Sequence, residues 1–407
     1  MSGEQRIGRI RSALSALELD ALVCALPKNV LLLSGYWPVI GASVALAFND
    51  GAIGLLVPED EAELAQAGWA GRIRTFKPGS LDRLTTAAEA LGERLRDIDA
   101  LFTQPVRIGI ESGETSEPAS YAAMNLFGDS LRDSLKHIFP EASVVAGDDL
   151  IRELGSVKTG AELDRIRTAC ALTRLAFERG ALQVATGCTE LELAQIFHSE
   201  FVKAQGQFPA VNRTQAFFFA MSGTNSAQAH GAYARSRTKQ IAPGDLVLIH
   251  CNTCADGYWT DITRTYSAGK PEDRRNKMYT AIFAAREAAL KAIAPGRKAA
   301  DVDAAARGVL EQHGFGKEFK HSTGHGVGFG AISPNELPRI HPKSPDVLEP
   351  GMVFNVEPAI YIDGFGGMRH CDMVAVTDSG YELLTPFQTR ADDLFVSPGQ
   401  ASSARSA

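Results

Sequence analysis

The chain has 407 residues, of which 45% are hydrophobic and 22% charged, a composition typical of a soluble globular protein with room for two domains. A net charge of −7 and a pI of about 5.8 argue against nucleic acid or an anionic membrane as the main partner. No apolar run approaches the roughly 20 residues that span a bilayer, and the first residues predict an amphipathic helix rather than a signal peptide, so we expect a cytoplasmic protein.

Residues 1–153 predict a small α/β domain. Residues 44–48 and 52–57 flank Asn49, Asp50 and Gly51, a sequence that favours a β-hairpin because its turn requires positive φ values. The other predicted elements are a helix over residues 7–17, a strand over 21–26, a helix over 81–95 and a strand over 106–110. None of these segments carries a cluster of catalytic residue types, so we expect this domain to contribute packing and subunit contacts.

Residues 154–395 predict a second domain and residues 396–407 a flexible tail. The order helix, helix, strand, strand occurs twice in the second domain, and punctuating glycines and prolines recur 107 to 109 residues apart. The first half begins with a helix over residues 160–184, followed by a helix that Thr189 caps, and Pro271 opens the first helix of the second half. This internal repeat predicts a pseudo-two-fold domain with its site between the halves.

Each half ends in a related hairpin. Residues 242–250 and 349–357 both start with a Pro-Gly turn and continue as an apolar strand, with a polar residue seven positions after the proline. A second strand follows in each half, and a glycine-flanked histidine lies between the halves in residues 321–328. The side chains that these segments bring together are His250, Asp261, His325, Glu357 and Cys371. All five can bind a metal ion.

Four motifs resemble those of the creatinase/aminopeptidase P/prolidase family. They are residues 158–163 (KTGAEL), 257–265 (GYWTDITRT), 323–328 (TGHGVG) and 350–358 (PGMVFNVEP). The resemblance covers nearly the whole chain and implies a small creatinase-like α/β domain in front of a pseudo-two-fold, α+β "pita-bread" catalytic domain. It also implies a homodimer.

The resemblance identifies site residues one by one. In metal-dependent members two divalent ions are held by two Asp, one His and two Glu, and Asp261, His325 and Glu357 match three of these positions. His230 matches a histidine that handles the substrate. The chain departs from the family at two ligand positions, because His250 stands in place of an Asp and Cys371 in place of a Glu.

Asn335 marks a third departure, since it stands where the family has a second catalytic histidine. We expect His230, His321 and Asn335 to contact the substrate. His321 would brace the site through a hydrogen bond rather than bind metal.

The altered ligands change the expected chemistry. Softer donors favour Zn²⁺ or Fe²⁺ over Mn²⁺, and Asp261 remains as the one bridging carboxylate. We therefore expect one divalent ion on Asp261, His325 and Glu357 with an open position for water, and His250 and Cys371 as further candidate ligands. The catalytic residues would be His230, His325 and Glu357, in a hydrolase of a C–N bond in a small molecule or dipeptide, whether amide, Xaa-Pro-like, guanidino or cyclic amide.

Other interpretations stay open at this point. A creatinase-like hydrolase would use no metal, with His230 as general acid and base and with Asp261 and Glu357 orienting the substrate. Cys371 could act as a covalent nucleophile. Lyase chemistry and a non-catalytic pita-bread module that binds a partner are further alternatives. Arg264 and Arg369 are expected to form ion pairs with the carboxylate cluster.

The cysteines indicate neither disulfides nor structural zinc. Six cysteines in a chain of this length do not form a disulfide framework. Cys251 and Cys254 have C-x2-C spacing, but no second such pair exists to complete a zinc site. In a strand, Cys251 would also point away from the face that carries His250.

Overall fold

The computed structural model of the chain describes residues 3–39, 42–78, 107–112, 129–231, 235–331 and 336–396, together with residues 82, 89, 92, 93 and 95. The chain divides into two compact units, Met1–Gly155 with Thr159–Ala161, and Ser156–Lys158 with the residues from Glu162 onward. Most of the predicted helix over residues 81–95, nearly all of the predicted tail and Asn335 lie outside the described residues. In the described part of the chain, no helix has the length and apolar character needed to cross a membrane.

The first unit is an α/β structure around one sheet. Its elements are α1 (Glu4–Ala16), β1 (Ala21–Cys24), α2 (Pro27–Ser34), β2 (Val44–Phe48), β3 (Ile53–Pro58), α3 (Ala62–Gln66), β4 (Arg72–Phe76), β5 (Arg107–Ile110), α4 (Asp129–Ile138), β6 (Ser143–Ala146) and α5 (Asp148–Ser156). The sheet has the order β4-β3-β2-β1-β5-β6, antiparallel from β1 to β3 and parallel at the remaining pairings. The core lies between this sheet and its helices.

Local sequence signals determine several of these elements. Gly51 has a φ of +94° in the predicted turn, and Asp50 accepts a hydrogen bond from the Ala52 amide at 2.8 Å, which confirms the hairpin of β2 and β3. The first helix begins three residues earlier than predicted, at Glu4. It ends at Ala16, and Leu17 is 47% exposed instead of lying on the apolar face.

The second unit contains four helices and three small sheets within the described residues. Its elements are α6 (Gly160–Ala181), α7 (Glu190–Gln205), β7 (Thr214–Ser222), β8 (Leu246–Ala255), β9 (Tyr258–Ala268), α8 (Asp273–Ala292), α9 (Ala299–Gln312), β10 (Val353–Val356), β11 (Ala359–Ile362), β12 (Gly366–Arg369), β13 (Asp372–Thr377), β14 (Gly380–Leu383) and β15 (Phe395–Val396). The strand orders are β15-β9-β8-β7, β10-β13-β14 and β11-β12.

The predicted repeat of two helices and a hairpin is present, with differences in detail. Thr189 caps α7 through a capping box with Glu192, as predicted. The first helix of the second copy was predicted to open at Pro271. It begins two residues later, because Glu272 is the residue that precedes the first turn of α8. Its hairpin is also divided into short strands, whereas β8 and β9 are 10 and 11 residues long.

Candidate metal and substrate site

The two hairpins of the second unit bring the five predicted ligand positions together. His250 lies on β8 and Asp261 on β9, whereas Glu357 follows β10 and Cys371 joins β12 to β13. The hairpins are joined directly, since the Cys371 amide donates to the Thr263 carbonyl at 3.0 Å. The loop that carries His325 is held in the same way, because the His325 carbonyl accepts a hydrogen bond at 3.1 Å from the amide of Asn355, which lies on β10. Main-chain hydrogen bonds therefore fix the positions from which all five side chains project.

Three of these side chains form a tight, buried group. One ligand atom each from Asp261, Glu357 and Cys371 lies within 4.8 Å of the other two. The Cys371 sulfur donates to the Asp261 carbonyl at 3.1 Å and lies 3.8 Å from Asp261 Oδ1. Ligands of one tetrahedral zinc ion are about 3.3 to 3.8 Å apart, so small side-chain movements would suffice to bind a single ion. The donor set fits one divalent metal ion.

His325 is oriented towards this group by its own backbone contacts. Its Nδ1 lies 3.0 Å from the Gly326 carbonyl and donates to it, which directs Nε2 to Asp261 Oδ2 at 3.4 Å. Burial alone would lower the pKa of His325, but the Asp261 carboxylate raises it to about 9. The Asp261 carboxylate therefore favours the protonated form of His325, and loss of that proton would free Nε2 to bind a metal.

His250 occupies a different environment. Its Nδ1 lies 3.1 Å from Thr263 Oγ1 and 3.6 Å from Asp261 Oδ1. The Thr263 hydroxyl oxygen accepts a hydrogen bond from Arg369 Nε at 3.1 Å. The hydroxyl proton of Thr263 is therefore free to be donated to His250 Nδ1. Burial and the nearby Arg369 lower the pKa of His250 to about 4, so the ring is neutral. A neutral imidazole stands where the family has an anionic carboxylate.

Arg369 supplies positive charge inside the site. Its Nη1 lies 3.7 Å from Glu357 Oε2, and it is nearly buried. The pKa of Glu357 is raised, because burial and the Asp261 charge outweigh the attraction of Arg369. The predicted ion pairing of Arg369 with the carboxylate cluster is present.

The other predicted arginine, Arg264, acts behind the site. Its Nη2 donates to Asp372 Oδ1 at 2.7 Å, and its Nη1 donates to the Cys371 carbonyl at 2.7 Å. Arg286 on α8 donates to the second oxygen of Asp372 at 2.5 Å. All three charged side chains are buried. This cluster anchors the segment that presents Cys371.

Two predicted substrate residues contact Tyr361. The His230 ring is exposed and packs edge-on against the Tyr361 ring, with centroids 5.5 Å apart. His321 Nδ1 lies 2.7 Å from the Ser322 carbonyl and donates to it, leaving Nε2 to accept from the Tyr361 hydroxyl at 3.0 Å. Burial lowers the pKa of His321 to about 4, consistent with a neutral acceptor. The third predicted contact, Asn335, cannot be placed because it lies outside the described residues.

An aromatic surface lies on the other side of the site. Phe217 and Phe219 of β7 are in register with Asn252 and His250 of β8, and therefore share the sheet face that carries Asp261. The Phe219 ring stacks on the His250 ring, with centroids 6.1 Å apart, and the Phe217 ring stacks on the Trp259 ring, with centroids 6.4 Å apart. Phe217 is 41% exposed. We call Phe217, Phe219 and Trp259 the aromatic wall.

Sequence reasoning did not identify Tyr361, Phe217 or Phe219 as site residues. Tyr361 lies four positions after Glu357 on a separate two-stranded sheet, and only the fold brings it to His321. The three consecutive phenylalanines at 217–219 were a detectable signal, because alternation in a strand sends Phe218 to the core and its neighbours to the opposite face.

Comparisons with known proteins match both units. Residues 164–378 match the model of metallopeptidase family M24, and residues 6–157 match the creatinase/prolidase N-terminal domain. The Xaa-Pro dipeptidase of Pyrococcus furiosus is 29% identical over 386 residues, which cover 94% of this chain and 98% of that protein.

Solved structures agree with these matches. The prolidase of Pyrococcus horikoshii superposes with a TM-score of 0.74 at 26% identity, covering 94% of this chain and 98% of that one. A Xaa-Pro dipeptidase of Bacillus anthracis, at 24% identity, shares the fold with a TM-score of 0.77 and covers 96% of this chain and 99% of its own. The predicted family and the predicted two-domain fold with a pita-bread catalytic domain are confirmed.

Proposed function

Because this chain belongs to metallopeptidase family M24 and is a prolidase/aminopeptidase P-like hydrolase, we propose that it cleaves the amide bond of a Xaa-Pro or similar dipeptide with the help of one divalent ion. The observation that carries the proposal is the buried group of Asp261, Glu357 and Cys371, whose ligand atoms lie within 4.8 Å of one another. His325 Nε2, 3.4 Å from Asp261, would complete the donor set. Such an ion supplies a Lewis acid for the amide carbonyl and lowers the pKa of a water molecule.

The histidines around Tyr361 handle the substrate in this proposal. His230 is exposed beside the buried Tyr361 ring, so its imidazole is accessible to a ligand and fixed on one side. It would hydrogen-bond to the developing oxyanion or protonate the leaving nitrogen. His321 holds the Tyr361 hydroxyl and thereby acts as a positioning residue rather than a metal ligand.

The aromatic wall indicates the kind of side chain that the substrate carries. Two strand spacings separate β7 from β9, so Phe217 lies about 10 Å from Asp261 across the sheet. That distance fits a dipeptide whose scissile carbonyl is at the carboxylates and whose side chain reaches Phe217. A large apolar side chain would cover the exposed ring, and we therefore expect substrates with an apolar residue on this side of the scissile bond.

A homodimer and a cytoplasmic location belong to the same proposal. The support for the homodimer is the family resemblance. Size-exclusion chromatography with light scattering measures the mass in solution. A mass of one chain at micromolar concentration would exclude the dimer.

A second candidate is metal-free hydrolysis of the creatinase type. It is favoured by one observation, that each carboxylate already has a cationic partner, His325 for Asp261 and Arg369 for Glu357. In this version His230 would be the general acid and base. Asp261 and Glu357 would then orient an amide or cationic substrate.

The test is hydrolysis of a Xaa-Pro dipeptide panel by protein purified without chelators, alongside metal analysis. We expect turnover, loss of turnover after dialysis against EDTA, and recovery with Zn²⁺ or Fe²⁺. Glu357→Gln should abolish turnover, whereas Glu349→Gln, at an exposed position eight residues earlier, should retain it. Activity that persists in metal-free protein would select the second candidate. No hydrolysis of any dipeptide, in protein that contains metal, would refute the proposed function.

A further inference from the structure

We propose that the ion is bound by the sulfur of Cys371, so that this chain carries a single-ion, sulfur-containing centre where its family has a two-ion carboxylate centre. The inference rests on the proposed function for the location of the site, and it concerns the ligands alone. It assigns a role to the residue at which the chain departs most strongly from the family pattern.

The backbone of Cys371 is held on both sides. Its amide donates to the Thr263 carbonyl at 3.0 Å, and its carbonyl accepts from Arg264 Nη1 at 2.7 Å. The side chain is fully buried and free of any disulfide. A packing cysteine normally lies among apolar groups, but this sulfur faces Asp261 and Glu357. Its surroundings are those of a ligand rather than of a core residue.

Charge balance limits the site to one ion. Asp261, Glu357 and a coordinated Cys371 sulfur, whose proton passes to solvent, supply three negative charges, and Arg369 supplies one positive charge beside them. One divalent ion makes this buried set neutral. A second would leave two uncompensated positive charges in a buried site, which is strongly unfavourable.

His250 does not restore the second ion position. Its Nδ1 faces the hydroxyl of Thr263, its ring stacks on Phe219, and it brings no negative charge. The family needs an aspartate at this position to hold the second ion. The change to histidine therefore removes a charge as well as a ligand.

A sulfur ligand also alters the metal preference. Thiolate donors bind Zn²⁺, Co²⁺ and Fe²⁺ in preference to Mn²⁺ and Mg²⁺. They give Co²⁺ complexes a sulfur-to-metal charge-transfer band in the near ultraviolet that oxygen and nitrogen ligands do not produce. This band reports the ligand directly and does not depend on catalysis.

The experiment is Co²⁺ titration of metal-free protein, followed by absorption spectroscopy and metal analysis. We expect one Co²⁺ per chain and a charge-transfer band that saturates with it. Cys371→Ser should lose the band. Cys251→Ser should keep it, because Cys251 is equally buried but lies on the opposite face of the sheet, in register with Ile262. A band that survives in Cys371→Ser, or bound Co²⁺ without a band in the wild type, would overturn the proposal.

A restoring variant tests the charge argument. His250→Asp combined with Cys371→Glu recreates the family's ligand types, and it should bind two Co²⁺ ions per chain without a charge-transfer band. Two ions in the wild-type protein would contradict the single-ion centre, as would one ion in a folded restoring variant. Dipeptide hydrolysis measured on the same samples separates the two proposals, because turnover with no sulfur band would refute only the assignment of Cys371.

Discussion

Replacing Asp372 with asparagine should destabilise the second unit severely. In the wild type, Asp372 is fully buried and accepts from Arg264 at 2.7 Å and from Arg286 at 2.5 Å. Asparagine can keep one of these hydrogen bonds through its oxygen, but its amide group would then face the other guanidinium, donor against donor. Arg264 would also lose its counter-charge, and Arg286 would keep only the partly exposed Glu287, which lies 2.8 Å from its Nη1. Removing one partner of a buried ion pair costs about 3–5 kcal/mol, and two affected arginines place Asp372→Asn near the upper end.

The assay is urea unfolding, followed by circular dichroism and by tryptophan fluorescence because two domains need not unfold in one step. Asp393→Asn is the matched control, since its partner Arg390 is 80% exposed and such surface pairs contribute about 1 kcal/mol or less. If Asp372→Asn lost no more unfolding free energy than the control, the reasoning would be refuted, because the charges would then not stabilise the buried cluster.

Three further predictions concern pH, specificity and catalysis. Burial alone would raise the pKa of Asp372, but Arg264, His370 and Arg286 hold it well below its usual range. The difference in unfolding free energy between wild type and Asp372→Asn should therefore be fully present above about pH 5. It should decline below about pH 4, because the unfolded chain then takes up a proton at this position. Urea midpoints from pH 3 to 8 measure this, and a difference that grows towards low pH would contradict it. Phe217→Ala should lower kcat/KM for Phe-Pro relative to Gly-Pro by about tenfold, because a large apolar contact contributes about 1–3 kcal/mol to specificity. An equal change for both dipeptides would remove Phe217 from the substrate site, as would the same shift in the control Leu182→Ala, which changes an exposed apolar residue outside the aromatic wall. His230→Ala should lower kcat by about 10²- to 10⁴-fold. Its metal content and unfolding midpoint should be unchanged, since the ring is exposed. A loss of metal would instead place His230 among the ligands.

Features set by neighbouring residues could be predicted from the sequence. The turn at Gly51 and the cap at Thr189 depend on one or two residues whose conformational preferences override their surroundings. The convergence of His250, Asp261, Glu357 and Cys371 was also predictable, because the repeated hairpins place them at equivalent points of two similar halves. For the elements that were predicted, the errors lay mainly at the ends, such as the start of α8, where the helix begins after Glu272. Other elements, such as α2 and β4 of the first unit, were not predicted at all.

Contacts between distant segments could not be predicted. Arg286 reaches Asp372 from a helix 86 residues earlier, and a charged residue on an otherwise apolar helix face gives no sign of its partner. The aromatic wall depends on strand register, since a shift of β7 by one residue would turn Phe218 to the site and Phe217 to the core. The grouping of Cys371 with Asp261 and Glu357 depends on side-chain positions that spacing does not determine.

The way in which Cys371 is held explains how the chain can change its ligands and keep its fold. The hydrogen bonds that position the backbone of this residue run from its amide to Thr263 and from Arg264 to its carbonyl, and these two do not depend on the side chain. Asp372, the neighbouring residue, carries the stabilising ion pairs, so structural and chemical roles fall on adjacent but separate residues. On the proposed assignment, substitution at 371 would alter which metal binds and how many ions bind, whereas substitution at 372 would alter the stability of the domain. On this reasoning, the unfolding midpoint of metal-free Cys371→Ser should stay close to that of the metal-free wild type, and a large loss of stability would show that the sulfur supports the fold as well as the site.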